Sequence, residues 1–113
     1  MSTFAGDGAP GVNDGPRLSA ELNAPRDVAV DAAGNVYVSD AGNHRIRRIR
    51  TDGNVDTLAG DGLAGFRNGP GQQAELYGQE GIDVTPDGKI VYVADGNSGD
   101  GSPYNRIRAI AVP

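Results

Sequence analysis

Cysteine is absent from this 113-residue chain, which excludes disulfide bonds, thiolate metal ligands and cysteine nucleophiles. Long apolar runs are absent too: no stretch approaches the roughly 18 residues that a membrane-spanning helix needs, and the N-terminus lacks the basic and apolar regions of a secretory signal. The net charge of -5, with only 2 Phe and 4 Tyr, disfavours a nucleic-acid-binding surface. We therefore expect neither a membrane nor a nucleic acid as partner.

Glycine and proline are abundant by contrast. The 18 Gly and 7 Pro are spread between apolar runs, and 37% of the residues are hydrophobic. Spread in this way, they indicate a folded chain of many turns and short strands rather than a disordered one.

The chain also repeats itself. Residues 3–22 recur, slightly altered, at 57–76, and residues 36–40 match 91–95. A period of this length is typical of repeat architectures, in which each unit buries its faces against its neighbours. Two units are too few to close a ring, so the pattern predicts association before it predicts any chemistry.

The repeat sets the domain organisation. We expect a single domain over residues 1–113, with one repeat at about 2–56 and a second at about 57–113. The Asp-Gly pairs at 52–53 and 87–88 are strong hairpin signals. Apolar runs rich in Val, Ile, Tyr and Thr predict the strands, which are residues 27–30, 35–39, 45–49 and 55–59 in the first repeat, and 81–84, 89–94 and 106–112 in the second.

The second repeat lacks a fourth strand, whereas the chain opens with the counterpart of one. Thr3, Phe4 and Ala5 correspond to residues 57–59 and are expected to form a clasp strand. This strand would pair with the open edge of residues 106–112, and in a chain of two units that edge must belong to another molecule. Pairing of this kind also removes exposed strand edges that invite aggregation.

Three segments of the first repeat, residues 23–31, 34–40 and 41–47, resemble the NHL-repeat family of six-bladed β-propellers. The resemblance extends over nearly the whole chain but is specific only in the first repeat, since Asn105 replaces His44 in the second. This divergence argues against a design from perfect repeats. It fits a natural fragment, a reconstructed ancestor or a natural short protein.

The resemblance implies an all-β fold with two four-stranded propeller blades in each chain. We expect a homo-oligomer of three copies, a trimer that completes a six-bladed ring; four copies would give an eight-bladed ring, which the sequence does not exclude. The long loops, at roughly 6–23, 40–44, 60–77 and 95–105, are all expected on one rim. That rim is the expected position of a protein or peptide ligand.

Asp40, Asn43 and His44 form the most distinctive polar group. A histidine beside a carboxylate suits acid–base or metal chemistry, but no second ligand such as a His-x-His pair lies nearby. In the family that the chain resembles, such residues brace a turn by hydrogen bonds, and we expect that structural role here. Residues 95–101 hint at a calcium loop, yet the spacing of their acids does not match an EF-hand. No metal site and no cofactor are therefore predicted.

Arginines are concentrated on two predicted strands: Arg45, Arg47, Arg48, Arg50, Arg106 and Arg108. Such a basic rim resembles that of the NHL propellers that bind RNA. Because 15 acids outnumber 10 bases here, we instead expect the arginines to lay their stems against neighbouring blades and to pair with carboxylates across the interface.

Assembly would be driven by apolar side chains that face adjacent sheets. These are Val28, Val30, Val36, Val38, Ile46, Ile49, Ile82, Val84, Val91, Val93, Ile107 and Ile110. We predict a non-enzymatic, structural or protein-binding β-propeller unit that self-assembles into a ring. Two alternatives stay open: a fragment of a metal-dependent propeller lyase or lactonase, although the chain lacks the set of His and carboxylate ligands of such enzymes, and an RNA- or peptide-binding NHL adaptor.

Overall fold

The computed structural model describes residues 1–62, 76, 78–96 and 106–112. The strands in this part of the chain are β1 Gly15–Pro16, β2 Pro25–Val30, β3 Val36–Asp40, β4 Arg45–Ile49, β5 Asn54–Ala59, β6 Gly78–Val84, β7 Ile90–Gly96 and β8 Arg106–Ala111. A short 3-10 turn, Ala41–Asn43, joins β3 to β4. The predicted all-β class is confirmed. No helix within the described residues is long and apolar enough to cross a membrane.

The strands form two antiparallel sheets. Sheet 1 has the order β1-β5-β4-β3-β2, and sheet 2 has the order β6-β7-β8. Short turns join β2 to β3, β4 to β5 and β6 to β7; Gly53 lies in the turn between β4 and β5 with a φ of 89°, which glycine adopts without steric cost. Strands β2 to β5 and strands β6 to β8 are consecutive meanders, so each sheet contains one copy of the repeated pattern.

The N-terminal part of the chain differs from expectation in two ways. The sequence does not predict β1, which pairs with β5 through Gly15 opposite Val55. Thr3, Phe4 and Ala5, expected as a clasp strand, are not a strand in the single chain. The outer edge of β4, next to which such a strand would fit in sheet 1, is already occupied by β5. The pairing of Thr3, Phe4 and Ala5 with a second molecule stays a prediction.

The main core lies between the two sheets. Its buried members are Tyr37, Ile46, Leu58, Ala59, Leu76, Val84, Val91, Val93 and Ile110, with Ala29, Ile82 and Val112 packed against them. Two hydrogen bonds also cross between the sheets. The Ile82 N–H donates to Asp27 Oδ2 at 3.0 Å, and the Ala32 N–H donates to the Pro86 carbonyl at 2.9 Å. The inner strands β2 and β6 are therefore held side by side by polar as well as apolar contacts.

A second core covers part of the opposite face of sheet 1. Ala20, Val38, Ile49 and Val55 are buried there, and Ala5, Leu22 and Val36 pack against them. Residues 5–22 therefore cover part of this face of sheet 1, and sheet 2 covers the other face.

The predicted interface residues do not share one environment. Val38, Ile46, Ile49, Val84, Val91, Val93 and Ile110 are buried, and Val36 and Ile82 are partly buried. Val28, Val30 and Ile107 are exposed in the single chain. These three contact no adjacent sheet, because they lie on faces that no second sheet of this chain covers.

Candidate functional site

The turn after β3 is built around a fully buried carboxylate. Asp40 accepts hydrogen bonds from the Asn23 backbone N–H and from the Asn43 side-chain amide, both at 2.7 Å. The 3-10 turn ends at His44, whose φ of 52° redirects the chain into β4. Position 42 must be glycine, since a Cβ there would lie 2.5 Å from the Asn23 carbonyl oxygen. The side chains of Asp40 and Asn43 therefore hold the turn by hydrogen bonds, and the backbone of His44 turns the chain into β4.

Arg47 connects this turn to the N-terminal loop. Its fully buried guanidinium donates to Asp40 at 2.9 Å, to Asp14 at 2.6 Å and to backbone carbonyls of residues 12, 13 and 21. A buried cation is tolerated only when it is paired in this way. Sheet 2 repeats the pair with Arg108 and Asp95 at 2.8 Å.

Arg48 and Arg50 bind a carboxylate of their own sheet. Arg48 donates to Asp56 at 3.0 and 3.1 Å, and Arg50 donates to it at 2.8 Å. Burial opposes ionisation of Asp56, but the hydrogen bonds from both arginines outweigh burial and hold its pKa below the usual value. The expectation of pairing across the blade interface is wrong for Arg47, Arg48, Arg50 and Arg108, because their carboxylate partners lie in the same sheet or in the loop packed on it.

A second carboxylate organises the turn between β2 and β3. Asp31 accepts hydrogen bonds from the backbone N–H groups of residues 33–35 at 3.0 Å and from the Tyr37 hydroxyl at 2.9 Å. Burial opposes its ionisation, but the hydrogen bonds from Asn35, Tyr37 and the backbone outweigh burial and keep the pKa of Asp31 below its ordinary value. Gly88, in the turn between β6 and β7, fits against it, since a Cβ at position 88 would lie 2.6 Å from Asp31 Oδ2.

No metal-binding site is evident in the part of the chain that the structure describes. Among those residues, no group of three or more His, Cys, Asp or Glu side chains is arranged to hold a metal ion. Asp95, the first acid of the segment at 95–101, is buried and bound to Arg108. Residues 97–101 of that segment lie outside the described residues, as do residues 63–75 of the other long loop.

Two faces of the sheets carry exposed apolar side chains, and residues 5–22 cover only part of the first. The front face is the side of sheet 1 that carries Val28 and Val30, which are 57% and 59% exposed and lie opposite core residues of β3. The back face is the side of sheet 2 that carries Tyr92 and Ile107, which are 44% and 73% exposed. Large apolar side chains exposed on neighbouring strands are typical of an interaction surface.

Each uncovered face corresponds to a face that is buried inside the chain. In the repeat, the back-face residues correspond to Tyr37 and Ile46, and the front-face residues correspond to Ile82 and Val84. All four belong to the core between the sheets or pack against it. The chain thus already contains the contact that its front and back faces could make with each other.

The predicted clasp residues lie at the surface beside the front face. Thr3 and residues 5–10, with Leu22, Ala24 and Pro25, line a groove of about 480 Å³. Phe4 is 54% exposed, and the centre of its ring lies 4.9 Å from the Arg17 guanidinium. More than half of the Phe4 side chain is therefore accessible in the single chain.

Sequence reasoning missed Asp14, Arg17, Asp27 and Asp31. Asp31 has a local signal, because an aspartate that opens a Gly-containing turn commonly bonds the backbone ahead of it. The other three have partners far away in the chain or in the other sheet, and no spacing rule points to them.

This architecture, of antiparallel meanders packed face to face with an open edge and two open faces, is that of β-propeller blades. An NHL repeat model matches residues 22–49. A solved structure of a protein of unknown function from Bacteroides thetaiotaomicron VPI-5482 superposes with a TM-score of 0.84 at 26% identity, over 99% of this chain and 27% of that one.

Two sequence relatives agree with this result. Protein SUPPRESSOR OF QUENCHING 1, chloroplastic, of Arabidopsis thaliana is 36% identical over 89 residues, which are 78% of this chain and 8% of that protein. NHL repeat-containing protein 3 of Homo sapiens is 32% identical over 97 residues, which are 83% of this chain and 22% of that protein. The chain belongs to the NHL-repeat family. It spans less than a third of the length of each of these three proteins.

Proposed function

We propose that the chain is a non-enzymatic, structural β-propeller unit that assembles head to tail with further copies of itself. The observation that carries the proposal is that the front and back faces are repeats of the two faces buried between the sheets. A contact that repeats the internal one would bury Val28, Val30, Tyr92 and Ile107, and each fully buried side chain of this kind contributes about 1.5–3 kcal/mol. Such a contact is heterologous and produces a ring when the rotation closes.

Three copies would supply the six blades of a ring, and four copies would supply eight. In the ring, Thr3, Phe4 and Ala5 would become the fourth strand of sheet 2 in a neighbouring copy. Support for this role comes from sheet 1, where β5 occupies the corresponding position, while sheet 2 has three strands within the described residues. Completion of the sheet would also cover the open edge of β8.

The non-enzymatic part of the proposal rests on how the polar groups are used. Asp31, Asp40 and Arg47 are engaged in buried hydrogen bonds that hold turns and loops. For the rim that carries the long loops we propose a protein or peptide ligand, since the net charge of -5 disfavours nucleic acid. Stoichiometric zinc or calcium that survives dialysis, measured by mass spectrometry, would instead favour a fragment of a lyase or lactonase.

The assembly is tested with two variants that each block one face. The front-blocked variant carries Val28→Glu and Val30→Glu, and the back-blocked variant carries Tyr92→Glu and Ile107→Glu. All four positions are exposed in the single chain, so both variants are expected to fold. Each variant alone should be a monomer. An equimolar mixture should give a heterodimer, because the intact back face of the first variant can bind the intact front face of the second.

The matched control adds the same charge at Leu18 and Ser19, which are exposed in the turn after β1, at the edge of sheet 1 opposite β2. This control should assemble like the wild type, whose mass by light scattering should be an integer multiple of the chain mass. A folded wild-type monomer at micromolar concentration would contradict the proposal. So would blocked variants that stay monomeric when they are mixed.

A further inference from the structure

The N-terminal segment already has the backbone path of a segment that leaves a fourth strand. Gly6 and Gly8 have φ values of 96° and 93°, and their repeat counterparts Gly60 and Gly62 have 96° and 90°. The second pair directly follows β5. The first pair directly follows Thr3, Phe4 and Ala5. The chain therefore leaves these three residues with the same backbone conformation with which it leaves β5.

Arg17 fixes this segment from the side. The Gly6 N–H donates to the Arg17 carbonyl at 2.7 Å, and the Asp7 N–H donates to the Ala20 carbonyl at 3.0 Å. The Arg17 side chain adds two contacts: its Nη1 donates to the Phe4 carbonyl at 2.5 Å, and its guanidinium lies over the Phe4 ring. A cation over an aromatic ring at this distance is attractive even at an exposed site.

Phe4 and the two back-face residues Tyr92 and Ile107 are the repeat counterparts of three residues that are buried together inside the chain. Leu58, the counterpart of Phe4, is buried in the core between the sheets together with Tyr37 and Ile46. The counterparts of these last two are the back-face residues Tyr92 and Ile107, and they are exposed, as is Phe4. The phenyl ring and the back face are therefore a matching anchor and seat, and both are exposed in the single chain.

We propose that Phe4 is the anchor that seats on the back face of a second copy, and that Arg17 is the positioning residue that holds it ready. This inference rests on the proposed function. The register follows from β4 and β5, where Ile46 lies opposite Ala59 and Arg47 lies opposite Thr57. By correspondence, Ala5 of one copy lies opposite Ile107 of the next, and Thr3 lies opposite Arg108. Holding the segment before contact lowers the ordering entropy that association costs.

The seat is tested with Phe4→Trp, since the wild-type chain contains no tryptophan. Over a concentration series, the emission of the introduced indole should shift to shorter wavelength in step with the rise in mass. The same change combined with Tyr92→Glu and Ile107→Glu should keep a solvent-exposed emission at all concentrations. An assembled wild-type-like mass with solvent-exposed emission would overturn the seat.

The positioning role is tested with Arg17→Ala, which leaves the backbone bond to Gly6 intact. It should raise the dissociation constant of self-association about ten-fold, whereas Arg17→Lys, which keeps the cation, should recover part of the loss. In a Phe4→Ala background the effect of Arg17→Ala should shrink to about two-fold, because the two changes remove one contact. Unfolding in urea under monomeric conditions serves as the check on folding.

The outcomes separate the two proposals. A wild-type chain that never associates overturns the proposed function and this inference with it. Association of the wild type with an unchanged dissociation constant in Arg17→Ala overturns only the role of Arg17. An equal effect of Arg17→Ala in the wild-type and Phe4→Ala backgrounds also overturns only the role of Arg17, since it shows that Arg17 does not act through Phe4.

Discussion

Gly88 is expected to be far less tolerant of alanine than Gly53, although both have left-handed backbone. The φ values are 72° and 89°. A Cβ at position 53 would meet nothing within 4 Å, whereas a Cβ at position 88 would lie 2.6 Å from Asp31 Oδ2 and 3.4 Å from the Tyr37 hydroxyl. The same substitution therefore measures backbone strain alone at one site, and strain plus a clash between the two sheets at the other.

The magnitude follows from what the clash disturbs. Left-handed backbone costs a non-glycine residue about 1–2 kcal/mol, and this cost applies at both sites. The Asp31 carboxylate has little freedom to move, because it is buried and accepts hydrogen bonds from Tyr37, Asn35 and backbone N–H groups. Displacing it weakens two or more bonds of about 1 kcal/mol each. We expect a loss of about 3–4 kcal/mol for Gly88→Ala and about 1–2 kcal/mol for Gly53→Ala.

Equilibrium unfolding in urea, under conditions where the chain is monomeric, gives both values. The Asp31→Ala background separates the two terms, since removal of the carboxylate should lower the cost of Gly88→Ala to that of Gly53→Ala. Equal losses for Gly88→Ala and Gly53→Ala in the wild-type background would refute the fit between the turns of the two sheets.

Three further predictions follow from the same structure. Asp40→Ala should cost about 3–5 kcal/mol in urea unfolding, because the buried Arg47 guanidinium loses its buried partner; a loss below about 1 kcal/mol would contradict this role. The unfolding free energy should fall as the pH drops below 3.8 and through the lowered folded-state pKa of Asp31, since the stability from a depressed carboxyl pKa is complete above the unfolded value and is lost as the pH falls through the folded value; Asp31→Asn should flatten that part of a pH series. Asp27→Ala should lower the free energy of unfolding in urea by about 1–2 kcal/mol, because the Ile82 N–H of sheet 2 loses its acceptor; an unchanged value would show that this hydrogen bond does not tie the inner strands together.

The strands could be predicted because their signals are local. Runs of β-branched residues and the Asp-Gly turns place β3, β4, β5 and β7 within two residues of where the structure has them. A two-residue strand such as β1 carries no such signal, since Gly15 and Pro16 pair with β5 only because the loop happens to pass its outer edge.

The faces of the strands were harder to assign than the strands themselves. The alternation of side chains along a strand predicts that Val28 and Ala29 point to opposite sides of sheet 1. It does not predict which of these sides another sheet covers. In the structure Ala29 packs toward sheet 2, while Val28 is exposed. That difference is decided by the packing of the whole chain, which no local pattern contains.

The arginines show a different limit. Four of them within six positions resemble a basic surface, yet Arg47 is fully buried. Its partners include Asp14, which is brought to it by a loop without periodic signal. A charged strand residue can be recognised as internal only when its distant partner is known, so the sequence favours the wrong environment for it.

The contact inside the chain and the proposed contact between chains are not equivalent, and Gly81 is the reason. Inside the chain, Asp27 accepts hydrogen bonds from its neighbour Val28 at 2.9 Å and from Ile82 of sheet 2 at 3.0 Å, and so ties the inner strands together. The second repeat has Gly81 at the position of Asp27, so the next copy meets no counterpart of the Asp27 carboxylate. The contact between copies thus lacks both this tie and the covalent linkage of one chain. On dilution the copies should separate before the two sheets do, which makes the pair of blades, and not the single blade, the unit of assembly.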